Sequence, residues 1–133
     1  GIKIYNDTPA TTPDATLAAL KALCSRRLGV RKNVVLIFGG ADKRLDMSGL
    51  VTEIPKYCKA VILLPGTGTA KLRIRNKELG IRYAKSLKEA VGVATGKAKK
   101  GDIILFSPAF ASFGLFKNEF DRGEQFFNII SNL

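Results

Sequence analysis

The stretch that decides the fold is Asp102-Ile-Ile-Leu-Phe106 and the run behind it, Ser107-Pro-Ala-Phe-Ala-Ser-Phe-Gly-Leu-Phe-Lys-Asn-Glu-Phe-Asp-Arg-Gly-Glu-Gln-Phe126. The first segment is an apolar, β-branched run and reads as a buried strand. In the second, Phe116, Phe120, Gly123, Phe127 and Ile130 recur at spacings of three and four, which predicts a helix with those residues facing the core. Between them lie small and hydroxyl residues. A strand that stops, a loop rich in Ser and Gly, and a helix start form an anion-binding arrangement, because the first-turn N–H groups are unpaired and the dipole is positive there. An ordinary βα connection has the same chemistry, so the loop alone leaves both readings open.

The same strand-then-helix unit repeats upstream. Ile2-Lys-Ile-Tyr5 reads as a short strand, and Thr12 followed by Pro13 and Asp14 marks a helix start with a hydroxyl cap, a proline at the first helical position and an acid at the positive end. Leu17, Leu20, Cys24 and Leu28 form its apolar stripe, and Gly29 ends it. Asn33-Val-Val-Leu-Ile-Phe38 and Lys59-Ala-Val-Ile-Leu-Leu64 are unbroken apolar runs, as expected of strands covered on both faces. A helix over residues 49–57 lies between them, bent or shortened by Pro55. Thr67 to Leu79 is expected to be helical and Ile81 to Ala84 a short strand. Ser86-Leu-Lys-Glu89 is a capping box opening a helix to about Lys99. Gly92 and Gly96 weaken that helix by about 1 kcal/mol each against alanine, so their presence predicts close packing.

Strands alternating with helices at this spacing predict a single α/β domain over residues 1–133, with a doubly wound, mostly parallel sheet and helices on both faces. The abrupt strand at the start gives the expectation of a domain cut from a longer chain. No apolar run reaches the ~20 residues that span a bilayer, and neither a signal peptide nor membrane association is expected.

The net charge of +11 raises nucleic acid, a membrane surface or small anions as partners. Ten of the 22 basic residues fall between Lys71 and Lys100, against the acids Glu78 and Glu89. No aromatic residue interleaves between Lys71 and Arg82 to stack on bases, so a solvated basic face is the expectation and a nucleic-acid-binding or stand-alone interaction module the alternative. There is no histidine, which removes Ser-His-Asp and Cys-His catalysis. Cys24 and Cys58 are expected to be buried, reduced thiols of a cytosolic protein, and no metal cluster is expected.

In a doubly wound sheet, ligands bind at the carboxyl ends of the strands. Three loops fall on that edge: Asn6 to Thr12, Gly39 to Asp46 and Ser107 to Asn118. They supply Thr8, Thr11, Thr12, Lys43, Arg44, Ser107, Ser112 and Lys117, with Asp7 the nearest acid. Hydroxyls and cations together suit a small anion. The plainer readings stay open: Lys43 as a surface lysine after a Gly-Gly turn, Asp7 as an Asx-turn residue, Ser112 as a helix cap.

Asn6-Asp-Thr-Pro-Ala-Thr-Thr-Pro-Asp-Ala-Thr16, Gly39-Gly-Ala-Asp-Lys43 with Asp46, and Ser107-Pro-Ala-Phe-Ala-Ser-Phe113 through Phe116-Lys-Asn118 and Arg122-Gly123 resemble the C-terminal domain of the Mur ligase family. The resemblance spans essentially the whole chain in order and is nearest to the D-glutamate-adding branch. It implies a Rossmann-like domain of an ATP- and Mg2+-dependent carboxylate-amine ligase that acts on UDP-N-acetylmuramoyl-L-alanine in peptidoglycan synthesis. ATP phosphorylates the substrate carboxylate, and the amine of D-glutamate attacks the acyl phosphate. By motif position it implies that Thr11, Lys43, Ser112 and the Phe113 backbone hold D-glutamate and that Asp7 hydrogen-bonds the ATP ribose. Further implications are a cytoplasmic, monomeric bacterial enzyme whose domains for ATP and the UDP-sugar lie outside this chain, and an isolated domain that is inactive. Two departures stand out. Pro9 occupies a position where a lysine is expected, and neither Gly66-Thr-Gly-Thr-Ala-Lys71 nor Ala94-Thr-Gly-Lys-Ala98 has the spacing of a phosphate loop.

Overall fold

The structure, a computed structural model, describes residues 1–24, 32–74 and 79–133. The strands are β1 (Lys3–Asn6), β2 (Val34–Phe38), β3 (Cys58–Leu63), β4 (Gly80–Tyr83) and β5 (Ile103–Phe106); β2, β3 and β5 are apolar runs too short for helices, and β1 and β4 are mixed four-residue segments. They form one sheet in the order β1-β5-β2-β3-β4, with every neighbouring pair parallel. The central strands are buried almost throughout, and the edges β1 and β4 carry the exposed residues.

Helices α1 (Pro13–Cys24) and α2 (Ser48–Tyr57) cover one face, and α3 (Leu87–Lys97) and α4 (Glu119–Ser131) cover the other. The pleat of β2 explains why both faces need cover. Val34, Leu36 and Phe38 pack with Leu20, Leu50 and Ile54 on the first face, and Val35 and Ile37 pack with Leu87, Ala90 and Phe126 on the second. The two apolar layers are anchored by ring pairs, Phe38 against Phe110 and Phe106 against Phe126.

Several expectations change. Over the described part of Thr67 to Leu79 there is only a single 3-10 turn, Thr69–Lys71, and Leu72 after it is extended. The Gly68 and Thr69 amides, first-turn donors with no partner inside the turn, both donate to Gly40 O, at 2.9 and 3.3 Å, and tie the turn to the β2 loop. The face of α4 is also different. Phe120 and Phe127 are 78% and 64% exposed, while Arg122, Gly123 and Phe126 are buried. Phe116 precedes the helix. In α3, a methyl placed on Gly92 or Gly96 would meet nothing within 4 Å, so these glycines do not mark close packing. The Ser86 cap forms, its side chain accepting from Glu89 N–H at 3.1 Å, but the Glu89 carboxylate reaches back to Lys85 N–H, one residue beyond the usual box. The Thr12 cap forms on Ala15 N–H. Leu28 and Gly29 lie outside the described residues, as does the Cys24 side chain; Cys58 is buried at the start of β3.

Topology positions the ligand edge. β5 sends its chain to α4 on the second face, whereas its neighbours β1 and β2 send theirs to α1 and α2 on the first. The loops diverge above β5, and such divergence leaves a crevice at the strand ends.

Candidate functional site

The loop after β5 runs between the other two and is bonded to each. On one side Asp7 N–H donates to Phe106 O at 2.7 Å, and Ala109 N–H donates to Ala10 O at 2.8 Å. On the other side Gly39 N–H donates to Pro108 O at 3.0 Å, and Ala41 and Ala111 exchange N–H bonds at 3.1 and 3.2 Å. Thus the β1, β2 and β5 loops form one continuous rim. These bonds require unusual backbone. Gly40 has φ of 153°, and a Cβ there would stand 2.7 Å from Ala111 O, so only glycine lets the β2 and β5 loops approach.

A buried arginine holds the rim from below. Arg122, 1% exposed, donates from Nε to Thr8 Oγ1 at 3.1 Å, from one terminal nitrogen to Thr8 O at 2.8 Å, and from the other to Phe110 O at 3.0 Å. One planar fork therefore ties the β1 loop to the β5 loop. Burial lowers its pKa to about 10, with the nearby Glu119 charge acting in the opposite direction, and the group stays cationic at neutral pH. Gly123 lets the β1 loop come this close, since a Cβ there would lie 2.5 Å from Thr8 Cγ2.

The expected site residues distribute along this rim. Thr11 is half-buried and follows Ala10, the acceptor of the Ala109 bond. Lys43 is exposed two residues beyond Ala41, and no ion pair engages it among the described residues. Ser112, 9% exposed, and Phe113, 61% exposed, follow Ala111 directly. The Phe113 N–H has no acceptor among the described residues, so it remains a donor. No hydrogen bond joins the Thr11, Lys43 and Ser112 side chains to one another among the described residues; what brings them to one rim is the main-chain pairing beneath them. Asp7 is half-buried, and Ser107 Oγ donates to its Oδ2 at 2.7 Å. A cation, hydroxyls and an unspent N–H on one edge can bind an anion.

Other expectations are corrected. The α4 N-terminus is no anion site: Asn118 caps it through Asp121 N–H at 2.8 Å, the Asp121 carboxylate accepts from Lys117 N–H at 3.0 Å, and Glu119 and Asp121 fill the first turn. Ser112 is therefore not the helix cap. Gly66-Thr-Gly-Thr-Ala-Lys71, which lacks phosphate-loop spacing, buttresses the β2 loop: Thr69 Oγ1 accepts from Gly40 N–H at 2.9 Å and Thr67 Oγ1 from Asp42 N–H at 3.0 Å. A cavity of about 460 Å³ lies on the outer side of that loop, lined by Asp42, Asp46, Met47, Lys71, Arg73 and Phe110 among others. None of Asp7, Thr11, Lys43, Ser112 or Phe113 lines it. Its acids are already engaged: Lys71 Nζ and Arg44 N–H hold the Asp42 carboxyl below its usual range, and Ser48 does the same for Asp46. A smaller cavity of about 290 Å³, lined by Ala41, Gly66, Thr67, Phe113 and Leu115 among others, opens on the rim itself. Among the described residues there is no group of three or more His, Cys, Asp or Glu side chains that could hold a metal ion.

Comparison with known proteins now bears on this geometry. A family model described as "Mur ligase, glutamate ligase domain" matches residues 1–110. The chain belongs to the Mur ligase family, as its C-terminal domain. The Mur ligase domain is 40% identical over 134 residues to the UDP-N-acetylmuramoylalanine--D-glutamate ligase of Borreliella burgdorferi (strain ZS7), covering 99% of this chain and 29% of that protein. It is 41% identical over 137 residues to the enzyme of the same name from Roseiflexus sp. (strain RS-1), covering 99% of this chain and 28% of that protein. For Clostridium perfringens (strain 13 / Type A) the figures are 39% over 143 residues, 100% and 29%. The chain thus spans less than a third of the length of these relatives. Reading the residues missed the part played by Arg122, although Gly123 in a helix interior beside it was a visible sign that another segment approaches there.

Proposed function

We propose that this domain is the D-glutamate-binding part of a longer, cytoplasmic ATP-dependent ligase that joins D-glutamate to UDP-N-acetylmuramoyl-L-alanine in peptidoglycan synthesis. The observation that carries the reading is the rim, with Lys43, Thr11, Ser112 and the Phe113 N–H on three loops pinned together by main-chain bonds. A dicarboxylate needs a positive or N–H-rich partner at each end. Lys43 serves one carboxylate, and Ser112 with the Phe113 N–H serves the other, while Thr11 donates its hydroxyl. The names of the relatives support D-glutamate as the amino acid.

Asp7, acceptor-only when ionised, is the residue here that fits a ribose hydroxyl of ATP. ATP supplies the activation of the substrate carboxylate when bound. Its phosphates and Mg2+ are assigned to the rest of the ligase, because the glycine-rich stretch here lacks phosphate-loop spacing and is committed to the β2 loop. The domain alone is inactive, binds neither nucleic acid nor membrane, and acts as part of a monomeric enzyme. Among the described residues no helix is long and apolar enough to cross a membrane.

The test is D-glutamate-dependent phosphate release from ATP by the complete ligase. Lys43→Ala should raise KM for D-glutamate by about tenfold or more, as the loss of one charge-assisted contact demands, with little change in KM for ATP. Equal effects on both would refute the assignment. Salt-sensitive binding of duplex or single-stranded nucleic acid by the domain would favour a nucleic-acid module instead.

A further inference from the structure

The Asp7 carboxylate is backed by two buried hydroxyls, those of Ser107 and Thr16. Ser107, fully buried at the end of β5, donates from Oγ to Asp7 Oδ2 at 2.7 Å. Thr16, fully buried in α1, stands with Oγ1 2.9 Å from Ser107 Oγ and donates to Ser107 O at 3.1 Å. The Asp7 main chain is fixed as well, by its N–H on Phe106 O. Each hydroxyl has one proton to give. With the Thr16 proton on Ser107 O, the single Ser107 proton has two acceptors in reach, Thr16 Oγ1 and Asp7 Oδ2, and the ionised carboxylate, nearer at 2.7 Å, is the stronger one. Asp7 Oδ1 is left without a donor among the described residues.

We propose that Ser107, with Thr16 behind it, is a positioning residue that locks the Asp7 carboxylate so that Oδ1 accepts a ribose hydroxyl of ATP. This rests on the reading of Asp7 given above. The physical reason is pre-organisation. The terminal torsion of an aspartate is broad and nearly two-fold, so an unpinned carboxylate loses that freedom on every binding event. A carboxylate already held at one oxygen presents the other at a fixed place. Satisfaction of buried hydroxyls does not by itself require this geometry, since Thr16 can serve Ser107 and a half-buried Asp7 can be hydrated.

The experiment compares Asp7→Asn, Ser107→Ala and Thr16→Val in the complete ligase. Titration calorimetry measures binding of ATP, 2′-deoxy-ATP and 3′-deoxy-ATP, and steady-state kinetics gives KM for ATP and D-glutamate. Ser107→Ala should weaken ATP binding about tenfold, which is the loss of roughly one good hydrogen bond, and should shrink the preference for ATP over the deoxy analogues toward that of Asp7→Asn. KM for D-glutamate should stay within about twofold, a change too small to count as a lost contact. Thr16→Val should act in the same direction by about threefold, being one step further removed, and it carries the test if Ser107→Ala does not fold. If ATP and D-glutamate weaken alike, or the ribose preference is unchanged, Ser107 is merely structural and the proposal is overturned. If Asp7→Asn itself leaves ATP binding unchanged, the reading of Asp7 fails first and the positioning role falls with it. An effective Asp7→Asn with silent Ser107→Ala and Thr16→Val overturns the positioning role alone.

Discussion

Replacing Arg122 with methionine keeps much of the side chain's volume and removes its donors, so it isolates what the fork contributes. Three bonds disappear, to Thr8 Oγ1, Thr8 O and Phe110 O. Phe110 O is the costly loss, because a buried acceptor without a donor costs about 1–3 kcal/mol. Thr8 O is partly buried and recovers some hydration, and Thr8 Oγ1 keeps its own bond to Glu119 O at 2.9 Å. Against this, methionine escapes the desolvation that lowers the Arg122 pKa to about 10. The carbonyls win, because the substitution removes only one side of each bond, and the net loss is about 2–4 kcal/mol. That corresponds to roughly 10 °C in Tm for a domain of this size. The sign of the pH dependence follows from the shift. Burial holds the folded pKa, about 10, below that of the unfolded chain, so above about pH 10 the unfolded chain binds more protons and the pH-dependent part of the stability rises with pH. At neutral pH the difference between variant and parent is flat. Urea unfolding followed by far-UV circular dichroism measures it. A variant within about 0.5 kcal/mol of the parent, the range of an ordinary surface change, would refute the claim that Arg122 clamps the two loops.

The glycines give a pair of opposite signs under the same assay. Gly123→Ala forces a Cβ to 2.5 Å from Thr8 Cγ2, whose hydroxyl is bonded and cannot easily turn, and should destabilise by about 1–3 kcal/mol despite better helix propensity. Gly92→Ala meets open space in α3 and should stabilise by about 0.5–1 kcal/mol. Asn118→Ala removes the α4 cap on Asp121 N–H and should cost about 1 kcal/mol. The Asp121 carboxyl is held below 3.8, first by Lys117 N–H and then by Gln125, so its stabilisation is present above 3.8 and lost as pH falls through the folded value. Asp121→Asn should accordingly flatten the acid limb of the stability curve, and an unchanged limb would contradict that.

The sheet was legible because its strands are unbroken apolar runs: Val34 to Phe38 has every residue buried, and nothing but a strand covered on both faces needs that composition in five residues. The caps at Thr12 and Ser86 were legible because they depend only on neighbours in sequence. What failed depended on distant partners. Thr67 to Lys71 makes one helical turn, which misleads, and its hydroxyls and first-turn amides are spent on Gly40 and Asp42, which the sequence does not reveal. In α4, periodicity assigned the phenylalanines inward, yet the buried place belongs to a charged residue whose acceptors lie on loops more than ten residues away. The three loops could be assigned to one edge from the expectation of a parallel sheet, whereas their bonding to one another, and the Asp7–Ser107–Thr16 chain, could not.

Chemical-shift mapping of the amide-labelled domain titrated with D-glutamate, with L-glutamate as control, tests the rim most directly. Shifts should concentrate at Thr11, Lys43, Ser112 and Phe113, with Phe113 N–H moving toward a hydrogen-bonded position, and L-glutamate should produce weaker ones. Shifts confined instead to the Asp46–Arg73 cavity, or none on these loops at saturating amino acid, would contradict the account.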